Sequence, residues 1–228
     1  MNDRELLTQL LKGDAQLSQQ TVAEVVGRGN EIAEKLVEML GNVRLWHTEN
    51  AGRVAVFHAV KLLGALKFEP SIPALIDAIL LASSTSNEDV LEELPLALSR
   101  IGTPAAASLK SILEDSTLDT TMRAVAASAL EGIAVLHPAL KDSVLSIFRE
   151  RINRSDESST LRGHLLTLLA HFRQPEDREL ITSLMQFVPT EMEVSGDDIT
   201  GYFEDRDEPW EWEQYRVDPL EFYDNELA

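Results

Sequence analysis

Residues 51–82 read AGRVAVFHAVKLLGALKFEPSIPALIDAILLA. From 51 to 68 nearly every position is apolar except Arg53, His58, Lys61 and Lys67. A helix of that composition is covered on most sides, as when it packs on a partner helix and on both neighbouring hairpins. A short turn follows, and Pro73 opens a second apolar helix. Proline costs nothing in a first helical turn, because its missing N–H has no intrahelical acceptor there. The unit recurs with Pro104 (GTPAAASLK), Pro138 (LHPALKDSV) and Pro175 (RQPEDRELI), at spacings of 31, 34 and 37 residues. Such a period signals stacked helical hairpins, each burying its apolar side against its neighbours.

The pattern predicts first helices over 51–66, 88–101, 120–136 and 158–172, with partners over 72–82, 104–114, 139–152 and 176–187. Alanines in 121–136 permit close helix approach. Ser71, Thr103 and Gln174 are the expected caps of the partner helices. Pro95 falls inside a first helix and is expected to kink it near 91–95. Upstream, helical spacing covers 3–12, a second segment starts at Ser18, and a third runs from an Asn30 cap to Gly41-Asn42. Trp46 and His47 lie in the connection. The expected organisation is an N-terminal helical cap or divergent repeat (1–50), four repeats (51–188) and a tail (189–228).

The 228 residues can bury roughly 70% of the unfolded surface without staples. The sequence contains no cysteine, which excludes disulfides, thiolate nucleophiles and thiolate metal sites. MNDRELLTQL places charges where a signal peptide needs an apolar core. The apolar stretches are broken by Asp77, Glu131 and His164, so no membrane span is expected and the reading is cytoplasmic. Net charge is −19, and residues 189–228, with 14 acidic and two basic side chains, supply −12 of it. That field repels nucleic acid and anionic membranes and favours a basic or neutral protein partner.

The endings LLGAL (62–66), SRIG (99–102) and LEGIA (130–134), followed by proline-led helices such as IPALIDAIL (72–80), resemble the HEAT repeat family, in particular the short HEAT-like repeats of bilin lyases. A mid-helix proline such as Pro95 is also a habit of that family. The resemblance covers about 51–188 and departs in the fourth unit, where Phe172-Arg173 stands in place of glycine. It implies an all-α, right-handed α-solenoid with a binding surface, and by itself no chemistry. Deoxyhypusine hydroxylase, a HEAT-like enzyme, needs repeated His-Glu pairs. The five histidines here precede Thr48, Ala59, Pro138, Leu165 and Phe172, so that dyad is absent. HEAT-like DNA glycosylases need a basic face, which the charge opposes. The layout is also similar to bacterial HEAT-like proteins with a C-terminal cysteine-rich metal motif, which this sequence lacks.

His164 and His171 lie two turns apart, about 10 Å, too far to share one zinc ion. They are expected to form a narrow solvated edge, as are His58 and Lys61. Asp115 and Asp119 near Arg123 read as a loop and helix start. Neither a G-x-S-x-G elbow nor a phosphate loop occurs. No catalytic residue, metal or cofactor is expected.

The tail holds Tyr202, Phe203, Trp210, Trp212, Tyr215, Phe222 and Tyr223, seven of the chain's 13 aromatics. WEWEQY (210–215) alternates aromatic and acid, which gives one sticky edge in an extended, strand-like conformation. Three states compete: a cap folded back on the last repeat, a segment that binds in trans or covers the groove autoinhibitorily, and plain disorder. Trp210→Ala with Trp212→Ala separates the first two, since only a cap should lose much thermal stability. The leading functional expectation is a non-catalytic adaptor or scaffold that uses the solenoid groove and these seven tail residues. The alternative is an accessory or lyase-like factor acting on a protein-bound cofactor. A weaker third reading is nucleic-acid mimicry by the tail.

Overall fold

The computed structural model describes residues 2–48, 51–185, 203–204 and 207–224, and among them every regular element is helical, with no strand. Two compact units form: Met1–Ala105 with Arg216–Ala228, and Ala106–Tyr215. No described helix is long and apolar enough to cross a membrane.

The first unit contains α1 (Asp3–Leu10), α2 (Gln19–Arg28), α3 (Asn30–Leu40), α4 (Val43–Trp46), α5 (Ala51–Leu66), α6 (Ile72–Ser84) and α7 (Glu88–Ile101). Helix α5 is its axis, packing most extensively on α7 and also on α3 and α4, while α6 packs on α7 and α3. Its apolar positions are accordingly buried, among them Val56, Ala59, Leu62 and Leu63. Gly64, in the LLGAL ending, marks the closest approach. A Cβ there would lie 2.7 Å from the Ala97 Cα of α7, so only glycine lets the two backbones meet. Helix α7 continues through Pro95.

The second unit contains α8 (Ala106–Glu114), α9 (Thr120–Leu136), α10 (Lys141–Ile152), α11 (Ser159–His171), α12 (Arg178–Met185) and most of α13 (Glu213–Arg216). Helix α9 packs on α8, α10 and α11, and α11 packs on α10 and α12. Its core includes Ala126, Ala129, Leu130 and Ile133 of α9 with Phe148 of α10 and Leu165 of α11. A buried ionic cluster ties its loops. Glu157 accepts a two-pronged guanidinium from Arg123, at 2.8 and 2.6 Å, and is also bonded by Arg151. The same arginines donate to the Leu113 and Glu114 carbonyls, which end α8 without intrahelical partners.

The helix spans expected from periodicity agree with those observed to within about two residues at nearly every boundary. The caps differ. Ser18, Asp119 and Ser158 do accept from the N–H of their first turns. Asn30, however, is already inside α3, and Gly29, with φ 55°, stands before it. The Ser71 hydroxyl turns back to the Phe68 carbonyl and the Gln174 amide to the Phe172 carbonyl. The reason lies in a shared device: a 3₁₀ turn precedes each partner helix, at Glu69–Ser71, Thr103–Ala105, Pro138–Leu140 and Pro175–Asp177. That turn satisfies the orphan N–H groups by backbone geometry, leaving the side chains free. The equivalent proline of the first hairpin is therefore Pro70, and Pro73 sits in the first turn of α6. Counted from Pro70, the spacings become 34, 34 and 37 residues. Before these turns, Lys67 and Arg173 take φ of 50° and 52° where Gly102 takes 88°, so side-chain-bearing residues occupy a glycine-like conformation in the first and fourth hairpins.

Candidate functional site: two faces covered by the C-terminal segment

Each unit carries a group of buried polar side chains on its central helices, and in each the group is met by residues of the C-terminal segment. Tyr202 lies outside the described residues. Of the others, Trp212 and Tyr215 reach the second unit, while Phe222 and Tyr223 reach the first.

In the second unit the centre is Glu131, a lone acid in the apolar run of α9 and 2% exposed. Its Oε1 accepts from Nδ1 of His171 at 2.7 Å and from the Trp212 indole N–H at 3.2 Å. Its Oε2 accepts from the Tyr215 hydroxyl at 3.0 Å, whose single proton is shared with the Ser128 carbonyl at 3.0 Å. One turn back on α9, the Ser128 hydroxyl meets His164 Nε2 at 2.9 Å. The Trp212 ring lies tilted on Phe172, centroids 5.1 Å apart. Burial, reinforced by the Glu131 charge, pushes the Tyr215 hydroxyl well above its ordinary range, so it stays a donor. Burial lowers His164. A serine–histidine pair at 2.9 Å invites the thought of a nucleophile and base. Ser128 sits mid-helix, though, where the neighbouring N–H groups are consumed by i→i−4 bonds, so no donor pair faces a developing oxyanion. The Ser128 backbone carbonyl, not its hydroxyl, is what Tyr215 meets.

In the first unit the centre is Glu93 of α7, 4% exposed. It binds Lys61 Nζ at 2.5 Å and Arg100 at 2.9 Å. Lys61 also lies over the rings of Phe57 and Phe222, 5.4 and 4.9 Å from their centroids. His58, fully buried beside it, is bonded on both nitrogens: Nε2 at 3.0 Å to the Asp14 carbonyl and Nδ1 at 2.9 Å to the Tyr223 hydroxyl. A carbonyl can only accept, so Nε2 carries the proton and Nδ1 accepts from Tyr223. Burial lowers His58 and raises Tyr223, which agrees with a neutral imidazole facing a protonated phenol. Phe222 packs edge-on against Phe57 at 5.5 Å, and its carbonyl accepts from Gln16.

Two expectations from the sequence do not hold. His58, Lys61 and His171 are buried and bonded rather than a solvated edge, because the aromatic segment covers the stripe that periodicity left open. WEWEQY is not strand-like either. Residues 210–212 form a 3₁₀ turn and 213–216 the helix α13. Helical winding places Trp212 and Tyr215, three residues apart, on one side, while Trp210 is turned out and 78% exposed. Phe203 lies against Arg178, 5.7 Å from ring centroid to guanidinium carbon. Among the described residues no cluster of three or more histidine or acidic side chains is arranged to hold a metal ion. Comparison with protein-family models, with curated proteins and with solved structures yields no match, and the functional assignment rests on these geometries.

Proposed function

We propose that the chain is a non-catalytic adaptor, a right-handed α-solenoid of HEAT-like hairpins that binds a basic or neutral protein through its helix faces and acidic, aromatic C-terminal segment. Four 3₁₀-led hairpins at near-constant spacing, with sequence-adjacent helices packed together inside each unit, support the architecture. The single observation that carries the binding role is Trp210. This indole is presented to solvent among Asp207, Glu208, Glu211 and Glu213, beside neighbours that are docked. An exposed tryptophan in a strongly anionic setting is a ready anchor for a pocket rimmed by lysine or arginine.

The test exploits the unequal burial of the two tail tryptophans. Trp210→Ala should abolish capture of the partner from native lysate while changing stability by no more than about 0.5 kcal/mol, as for other exposed positions. Unchanged capture by Trp210→Ala would remove the reading's main support. Trp212→Ala, by contrast, removes an indole that packs on Phe172 and donates to Glu131, so it should lower the melting temperature.

A further inference from the structure

The docked segment defines the chemistry of the face it covers. We infer that the α9–α11 face around Glu131 is a peptide-recognition site for an acidic linear segment of a partner protein that carries tryptophan and tyrosine three residues apart, and that residues 209–215 of the chain hold this site in cis. The inference rests on the adaptor reading for the existence of a basic or neutral partner, and adds that this partner presents one locally acidic segment.

Four features point the same way. First, the site is built by the folded helices and not by its occupant: Glu131 and Ser128 come from α9, His171 closes α11, Phe172 follows it, and His171 already bonds Glu131. Second, the segment is held by side chains. Among the described residues, the backbone–backbone hydrogen bonds of 209–224 run within the segment, as from Trp212 N–H to the Pro209 carbonyl. Residues 209–215 reach the helices through side chains, among them the Trp212 indole, the Tyr215 hydroxyl, the Trp212 ring on Phe172 and the Glu211 carboxylate beside His171. That is how short linear motifs dock, with anchors on one edge and the other edge in solvent, and Glu213 and Gln214 are indeed exposed. Third, basic side chains border the site: Arg173 donates to the Asp207 carbonyl, Lys141 lies over the Phe172 ring, and His171 Nε2 faces the Glu211 carboxylate at 3.8 Å, a setting suited to a segment rich in glutamate and aspartate. Fourth, the two polar anchors are read by one carboxylate, whose oxygens take an indole N–H and a phenol O–H separately. Phenylalanine in place of the tyrosine would leave Oε2 of Glu131 without its donor, and in place of the tryptophan would leave Oε1 to His171 alone, which penalises the wrong sequence.

A tethered occupant competes at an effective concentration on the order of millimolar, so an external segment gains the site only when the cis anchors are weakened or withdrawn. In the decisive experiment, a fluorescent peptide of residues 207–217, DEPWEWEQYRV, is titrated by anisotropy into the full chain and into the full chain bearing Trp212→Ala with Tyr215→Ala. The doubly substituted chain should bind at least tenfold more tightly than wild type, and adding Glu131→Gln should weaken that binding at least fivefold. If the double variant fails to melt cooperatively, Tyr215→Phe serves instead, with a gain of about threefold expected, since only one hydroxyl is removed. Equal affinity for wild type and the anchor variants, or indifference to Glu131→Gln, overturns the inference. So does peptide binding that appears only together with dimerisation in light scattering, which would assign the site to a second copy of the chain. The adaptor reading fails separately, through Trp210→Ala in partner capture.

Discussion

Glu131 offers the sharpest check on how the C-terminal segment is held. Three donors converge on its two oxygens, from His171, Trp212 and Tyr215. Glu131→Ala leaves Tyr215 its bond to the Ser128 carbonyl but strips the other two. A stranded buried donor costs about 1–3 kcal/mol. His171 is nearly fully buried and takes the upper part of that range, whereas Trp212 is half-buried and partly rescued by water. The expected loss is roughly 3 kcal/mol. Glu131→Gln should cost only about 1 kcal/mol, because the amide oxygen can sit at Oε1 between His171 and Trp212. Its NH₂ then faces a phenol free to rotate and accept, and only charge assistance is lost. Urea unfolding followed by circular dichroism gives the stabilities, and tryptophan emission reports whether Trp212 leaves its site. Combining Glu131→Gln with Tyr215→Phe should show a coupling of at least about 0.5 kcal/mol, as contacting residues do. Equal costs for glutamine and alanine, a cost under about 1 kcal/mol for alanine, or additivity of the pair would each show that Glu131 does not hold the segment in this way.

His58 makes the Tyr223 attachment pH-dependent. Burial is the main cause of its lowered proton affinity, with nearby Lys61 adding to it, and the Asp14 carbonyl opposes both. The folded form therefore binds a proton less readily than the unfolded chain. The contribution is complete above the ordinary value of 6.5 and is lost as pH falls from there through the lower folded value. Melting temperature should fall between about pH 7 and 5, and a His58→Gln variant should flatten that slope; identical slopes would count against the assignment. Glu157→Ala, which leaves two buried guanidinium groups side by side, should cost about 3–5 kcal/mol in urea unfolding. In wild type, burial raises Glu157, but the bonds from Arg123 and Arg151 outweigh it and hold the carboxyl below 4.5. That stabilisation is present above pH 4.5 and disappears as pH falls through the lower folded value. Lys67→Gly relieves a left-handed strain of roughly 1–2 kcal/mol against about 0.4–1 kcal/mol of added freedom in the unfolded chain. It should be neutral to stabilising by roughly 0.5 kcal/mol, and a loss of stability would contradict the strain at that position.

The helices were legible because their signal is local. An apolar run with few polar breaks, ending in LLGAL or SRIG and followed by proline, leaves little choice of structure, and the observed spans follow it closely. The 3₁₀ turns were not legible, since Ser71 and Thr103 look like caps whether the first turn is α or 3₁₀. The polar stripe failed for a different reason. His58, Lys61, Glu131, His164 and His171 interrupt apolar helices, and periodicity has only two places for such residues, core or solvent. It has no term for a third, an aromatic segment arriving from far along the chain, 81 residues from Trp212 to Glu131 and 165 from Tyr223 to His58. A signal was present nonetheless. A single acid at 131 in an Ala/Leu helix, set against a tail holding all three tyrosines and two of three tryptophans, pairs acceptors with the indole and phenol donors able to satisfy them. Buried polar groups need partners, and a surplus of aromatic donors needs acceptors. Matching the two sets is a reading that hydropathy alone does not attempt, and in each unit of this protein it leads to the face on which the C-terminal segment docks.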